Sequence, residues 1–181
     1  GDLTSIIQTT HDAALSSAVI AINRMQTMRN WLIGYYIVEY EQHGKDRAEY
    51  GAKLLKKLEE RVNRKGINIT LLKNSRSFYL HYPQMAENLV PAISPTVSDQ
   101  LVNRVNALST NDNFWSDNKQ KEKSPTVSDQ FKTSGKKIIS SLSFSHIVEL
   151  LTLDDPLARY FYEQECIKCT WSVRELRRQI S

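Results

Sequence analysis

The sequence predicts an all-α fold: a long N-terminal helix, a helix-turn-helix bundle and a long polar insert. Three observations predict it. Residues 4–42 contain no proline and one interior glycine, Gly34, with apolar side chains recurring every three or four positions. Residues 46–82 hold two further periodic segments, interrupted at Lys65-Gly66 and restarted at Asn68. The last forty residues carry helix-start signals at Ser143, Asp155-Pro156 and Ser172. At 181 residues, 40% hydrophobic and 24% charged, the chain fits one domain able to bury a core.

In the first helix Ala14, Ala18, Ile22, Met25, Met28, Leu32, Tyr36 and Tyr40 make one face. From Trp31 to Val38 the helix is apolar all round, so the rest of the domain or a second subunit has to cover it. That run is far short of the roughly 20 residues of a membrane span. A second helix over 46–64 sets Tyr50, Leu54, Leu58 and Val62 at steps of four, with Lys53, Lys56, Lys57 and Arg64 off the stripe. It is expected to end at Lys65-Gly66. Asn68 then caps a third helix over 69–82. Its inner face is Leu71, Leu72, Ser75, Phe78, Tyr79 and Tyr82; Thr70, Lys73, Asn74 and Ser77 lie outside, with Arg76 at the border.

The ordered body is expected at 1–83 and 140–181. Between them, 84–139 reads as a flexible polar insert rich in Ser, Thr, Asn, Asp, Lys and proline. Two identical heptapeptides, Ser94–Gln100 and Ser124–Gln130, sit in it with unlike flanks, which predicts a locally duplicated loop and not a solenoid. The alternative makes each Thr-Val-Ser a short strand, a wing beside the third helix. A short helix at 101–108 and an anchoring Phe114-Trp115 pair are further expectations.

Ser143 starts a helix bearing Phe144, Ile147, Val148, Leu150 and Leu151. The next, begun by Pro156, has Leu157, Tyr160, Phe161 and Ile167 among its apolar positions. Ser172-Val-Arg-Glu175 is a capping box, with Trp171 and Leu176 spaced as a hydrophobic staple. Arg174, Arg177 and Arg178 form a basic stripe there, suited either to phosphate or to the helix C-terminal dipole.

The net charge of +4 is unevenly placed. Residues 1–43 carry two basic and four acidic side chains, 44–82 carry ten and four, 83–139 seven and six, and 140–181 five and six. The excess of +6 at 44–82 therefore coincides with the helix-turn-helix candidate, and a concentrated positive stretch is the footprint of phosphate binding. In that reading Lys73, Asn74, Arg76 and Ser77 approach the major groove, while Lys53, Lys56, Lys57, Arg64 and Lys65 neutralise phosphates, as Arg174, Arg177 and Arg178 can. Arginine and lysine pair with guanine edges or phosphate, and asparagine with adenine. The competing reading is a solvated lysine-rich face with no ligand.

Catalytic chemistry finds little support. Cys166-Ile-Lys-Cys169 has zinc-like spacing but no second ligand pair, so two packed thiols are expected. His11, His43, His81 and His146 are scattered without a nucleophile, and His146 reads as a packing or capping residue. No P-loop or GxGxxG is present. Asp117-Asn-Lys119 resembles a nuclease Asp-x-Lys only superficially. No metal, no cofactor and no activity of this chain alone are expected. Two cysteines and no visible leader fit the cytoplasm.

Six phrases occur together in order: Tyr36–Gly44, Arg47–Gly51, Ser77–Pro83, Leu142–His146, Asp155–Tyr162 and Trp171–Ile180. Jointly they resemble the N-terminal domain of the YhcG-like family of bacterial proteins, long a domain of unknown function. The resemblance implies a winged-helix or helix-turn-helix DNA-binding module followed by a PD-(D/E)XK nuclease-like domain, which would begin after Ser181. It places no catalytic residue on this sequence. Gly66-Ile-Asn68 departs from the Gly-Phe-Ser-like turn of the family, and the insert is longer than expected. The rival reading is a dimerisation or protein-interaction module of the same family, built on the first helix and making no DNA contact. A homodimer and a nuclease domain of the same protein are thus the candidate protein partners.

Overall fold

The computed structural model describes residues 2–43, 52–89 and 132–181. Among them every regular element is helical, as predicted. In order they are α1 (Leu3–His43), α2 (Ala52–Val62) and α3 (Ile69–His81), a 3-10 turn (Pro83–Met85) running into the single-turn α4 (Ala86–Leu89), then α5 (Gly135–Ser141), α6 (Phe144–Leu150), α7 (Pro156–Cys169) and α8 (Val173–Ile180). No strand, and so no wing, occurs among the described residues. Both heptapeptides, the 101–108 helix, Phe114-Trp115 and Asp117-Asn-Lys119 lie outside them.

The body is organised on the second half of α1. Thr27, Met28, Asn30, Trp31, Ile37 and Val38 are buried there. Helix α3 lies along this half, and the two backbones meet at Gly34. A Cβ at that position would sit 2.0 Å from the Ser75 carbonyl oxygen. A glycine that weakens an isolated helix by about 0.5–1 kcal/mol is thus the point that lets two helices touch. The main core gathers around Trp31, whose ring meets Tyr79 edge-on at 5.2 Å and whose Nε1–H donates to the Tyr82 carbonyl at 3.0 Å. A smaller core of Ile37, Leu55 and Leu72 seats α2 against α1 and α3.

The expected boundaries of the insert need correction. Met85, Leu89, Ile138 and Ile139 are all buried in the main core, so 84–89 and 132–139 belong to the body. Pro83 opens a helical turn instead of ending one, and Ser134 caps α5 by accepting from the Lys137 amide at 3.4 Å. The polar composition around these few apolar residues concealed them.

The C-terminal caps form as predicted. Asp155 accepts from the Leu157 and Ala158 amides at 3.0 and 3.2 Å. Ser172 and Glu175 bond reciprocally, at 2.7 Å from the Ser172 amide to Glu175 and 3.3 Å from the Glu175 amide to Ser172. His146 proves to be a capping and bridging residue: its Nδ1 accepts from the Ser143 amide at 3.2 Å, and its Nε2 lies 3.0 Å from the Trp171 carbonyl.

Candidate nucleic-acid interface

The α2–α3 hairpin is built from its turn outward. Helix α2 stops at Val62, earlier than Lys65-Gly66, because Asn63 adopts a left-handed φ of 41°. Gly66, at φ 87°, occupies the turn closed by the Ile67 amide on the Arg64 carbonyl at 3.0 Å. Asn68 then accepts from the Leu71 amide at 2.8 Å. The Ile69 amide donates to Glu59 of α2 at 3.1 Å, so one carboxylate of the hairpin is spent on joining its two helices.

The outward surface is basic. Lys53, Lys56, Lys57, Arg61, Arg64, Lys65 and Lys73 are exposed, whereas Asn74, Arg76 and Ser77 are half-buried. Arg61 was not among the sequence candidates, although it lies four residues after Lys57 on the same helix. Arg76 is engaged: its Nε donates to both carboxylate oxygens of Glu41 at 3.1 and 2.9 Å, tying α3 to α1. The Ser77 hydroxyl lies 3.3 Å from His81 Nδ1.

The three C-terminal arginines occupy a separate element. Helix α8 packs chiefly on α6 and α7, while α2 packs on α3. Arg174, Arg177 and Arg178 are exposed. The Arg177 Nε donates to Glu149 at 3.1 Å, and that hydrogen bond holds the Glu149 carboxyl below its ordinary range. Arg177 therefore fastens α8 to α6.

A cleft that sequence reading missed has a volume of about 480 Å³, lies between the end of α3 and the start of α7, and exposes mainly apolar surface with a few polar side chains. Tyr82, Arg159 and Glu163, all buried, line it together with Gln84 and Thr133. Burial raises the Glu163 carboxyl above its ordinary range, with Thr133, Tyr82 and Arg159 opposing. These residues come from distant segments with no shared motif, so no sequence signal groups them. Of the two cysteines, Cys166 is packed as expected but Cys169 is exposed. Burial, and then the Glu163 carboxylate, push the Cys166 thiol up to about 11, which opposes a thiolate role. No group of three or more metal-ligating side chains occurs among the described residues.

Fold and surface together define an all-helical domain that presents a basic helical hairpin. The family described as the DUF1016 N-terminal domain matches residues 2–122 and 104–181, and the chain belongs to that family. It is similar to a protein of Escherichia coli (strain K12) named "Putative nuclease YhcG", at 32% identity over 173 residues. The match covers 94% of this chain and 41% of that relative, so the chain spans about two fifths of the relative's length. No solved structure matches it.

Proposed function

We propose that this chain is the DNA-binding part of a cytoplasmic, nuclease-associated protein, and that its α2–α3 hairpin delivers a PD-(D/E)XK nuclease domain to duplex DNA. One observation carries the reading: the exposed cations of the most basic stretch of the chain share one hairpin whose other side is packed against α1. Lys53, Lys56, Lys57, Arg61, Arg64 and Lys65 serve phosphate contacts, which fix register without reading sequence. Lys73, Asn74 and Ser77 stand toward the groove, and Arg76 borders it with its guanidinium oriented by Glu41. Arg174 and Arg178 supply a secondary basic surface, and Arg177 contributes while holding Glu149. The nuclease name of the relative and the partial coverage support a catalytic domain elsewhere in the full-length protein. This chain supplies binding and no catalysis.

The test is fluorescence anisotropy of the 181-residue chain against duplex DNA, single-stranded DNA and RNA, titrated with salt. Duplex affinity is expected to fall steeply as salt rises, with a slope of about −0.9 per phosphate neutralised. Lys56→Ala and Lys65→Ala should each flatten that slope by about one. Lys73→Ala combined with Arg76→Ala should weaken binding by about 1–3 kcal/mol for each side chain withdrawn from the groove. Affinity and slope indifferent to all four changes would sink the assignment, and tighter binding of RNA would redirect it.

A further inference from the structure

The cleft between α3 and α7 lies at the end of α3 remote from the turn of the basic hairpin. Helix α7 sets Arg159 and Glu163 four residues apart on one face. Tyr82 follows α3, and Gln84 lies in the 3-10 turn. Tyr82, Arg159 and Glu163 are each at least nine-tenths buried. Arg159 is anchored by its Nη2, which donates to the Leu153 carbonyl at 2.6 Å, and Gln84 by its Nε2, which donates to the Thr133 carbonyl at 3.2 Å. The Tyr82 hydroxyl stands beside the Glu163 carboxyl. Three further polar atoms, Gln84 Oε1, Arg159 Nε and Glu163 Oε1, are buried and have no hydrogen-bond partner among the described residues. A buried polar atom left unpaired costs about 1–3 kcal/mol. Three of them around one cleft are more than a clasp between helices requires.

We infer that this cleft binds a guanine base, carried either by a free nucleotide or by an unpaired nucleotide of a nucleic acid. The Glu163 and Gln84 oxygens ask for two donors, and Arg159 Nε asks for an acceptor. Guanine presents N1–H and its 2-amino group side by side on one edge, with O6 and N7 as acceptors beyond them. Adenine, cytosine and uracil each place only one donor group on that edge. Burial raises the Glu163 carboxyl above its ordinary range, and two N–H donors aimed at it stabilise its charged form.

The remaining walls suit the rest of such a ligand. Pro156, Leu157 and Tyr160 offer the apolar and aromatic surface that the faces of a base need. Lys132 and His81, both exposed, also line the cleft, and a lysine there suits a phosphate carried by the nucleoside. The volume of about 480 Å³ falls within the range of about 300–1,000 Å³ found for small-molecule sites. The three unpaired atoms are buried within residues that line the cleft, so the base engages them through the side-chain rotamer changes that commonly accompany binding.

Isothermal titration calorimetry of the 181-residue chain with the 5′-monophosphates of guanosine, inosine, adenosine and uridine is the test. The guanosine nucleotide should saturate one site with a Kd below about 1 mM. The inosine nucleotide lacks the 2-amino group and leaves one acceptor unpaired, so it should bind about tenfold more weakly or worse, as should the other two. Glu163→Gln keeps the side-chain shape and should weaken the guanosine nucleotide by about tenfold or more. Leu157→Glu alters a residue that is 59% exposed on the cleft wall. It should weaken the same nucleotide severalfold without moving the melting temperature, and it serves even where Glu163→Gln fails to fold. Displacement of the nucleotide by a DNA duplex with one unpaired terminal dG, and not by a blunt duplex, would assign the base to nucleic acid. Indifference to both duplexes would assign it to a free nucleotide. No saturation by the guanosine nucleotide, equal binding of all four, or unchanged affinity in the folded variants would overturn the inference.

Discussion

The two halves of α1 make an instructive contrast. Both are rich in apolar residues and both are helical, yet Thr27–Val38 is the spine of the body and Asp2–Ile20 stands in solvent. The difference lies in what the rest of the chain offers each half. The second half has aromatic rings at 31 and 35, a glycine that admits α3, and α5 and α6 against its side. The first half has small and medium aliphatic residues and no neighbour within the described chain. An isolated helix of about twenty residues is marginal in water, since tertiary packing supplies most helical stability. Among the described residues the arm, Asp2–Ile20, lacks the packing that supports the spine.

The largest effect that should separate the halves is Trp31→Ala. Removing a fully buried indole and its hydrogen bond to Tyr82 should cost about 3–5 kcal/mol in chemical denaturation. Gly34→Ala should follow at about 1–3 kcal/mol, because the new Cβ collides with the Ser75 backbone. Under the proposed function that variant should also lose DNA affinity, since α3 carries the residues assigned to the groove; an unchanged Gly34→Ala protein would break the account of the spine.

A pH profile sharpens the picture within the body. Burial holds the His146 imidazole below its ordinary value of 6.5. The unfolded chain then takes the proton more readily, so this contribution to stability is present above that value and lost as pH falls through it. Protonation also removes the Nδ1 acceptor that caps Ser143. Unfolding measured from pH 7.5 to 5.5 should show declining stability, with a flatter profile for His146→Gln.

The smallest effect belongs to the arm. At high dilution Ile6→Ala should change stability by no more than about 0.5 kcal/mol, as for other surface positions. A loss of about 2 kcal/mol or more would mean that Ile6 is packed like a residue of the spine.

Local chemistry was legible in the sequence. The Ser172–Glu175 box, the Asp155-Pro156 start and the Asn68 cap each depend on partners within three residues, and α1 ended within a residue of the predicted limits at both ends. The hairpin and its cations were readable for the same reason. What escaped reading is long-range. Glu41 and Arg76 are 35 positions apart, and Glu149 and Arg177 are 28 apart. The burial of Met85 and Ile138 depends on elements that polar sequence keeps separate. Asn63 ended α2 before the glycine did because an asparagine, too, tolerates a left-handed backbone. Periodicity showed that α1 was apolar on a broad face, but not which half would find a neighbour.

A rigid rod also measures distance. From Asp2 to Gly34, where α3 crosses, α1 rises about 48 Å. Whatever grips the free end is held at about that distance from the hairpin, and each residue added to or removed from the arm shifts it by about 1.5 Å.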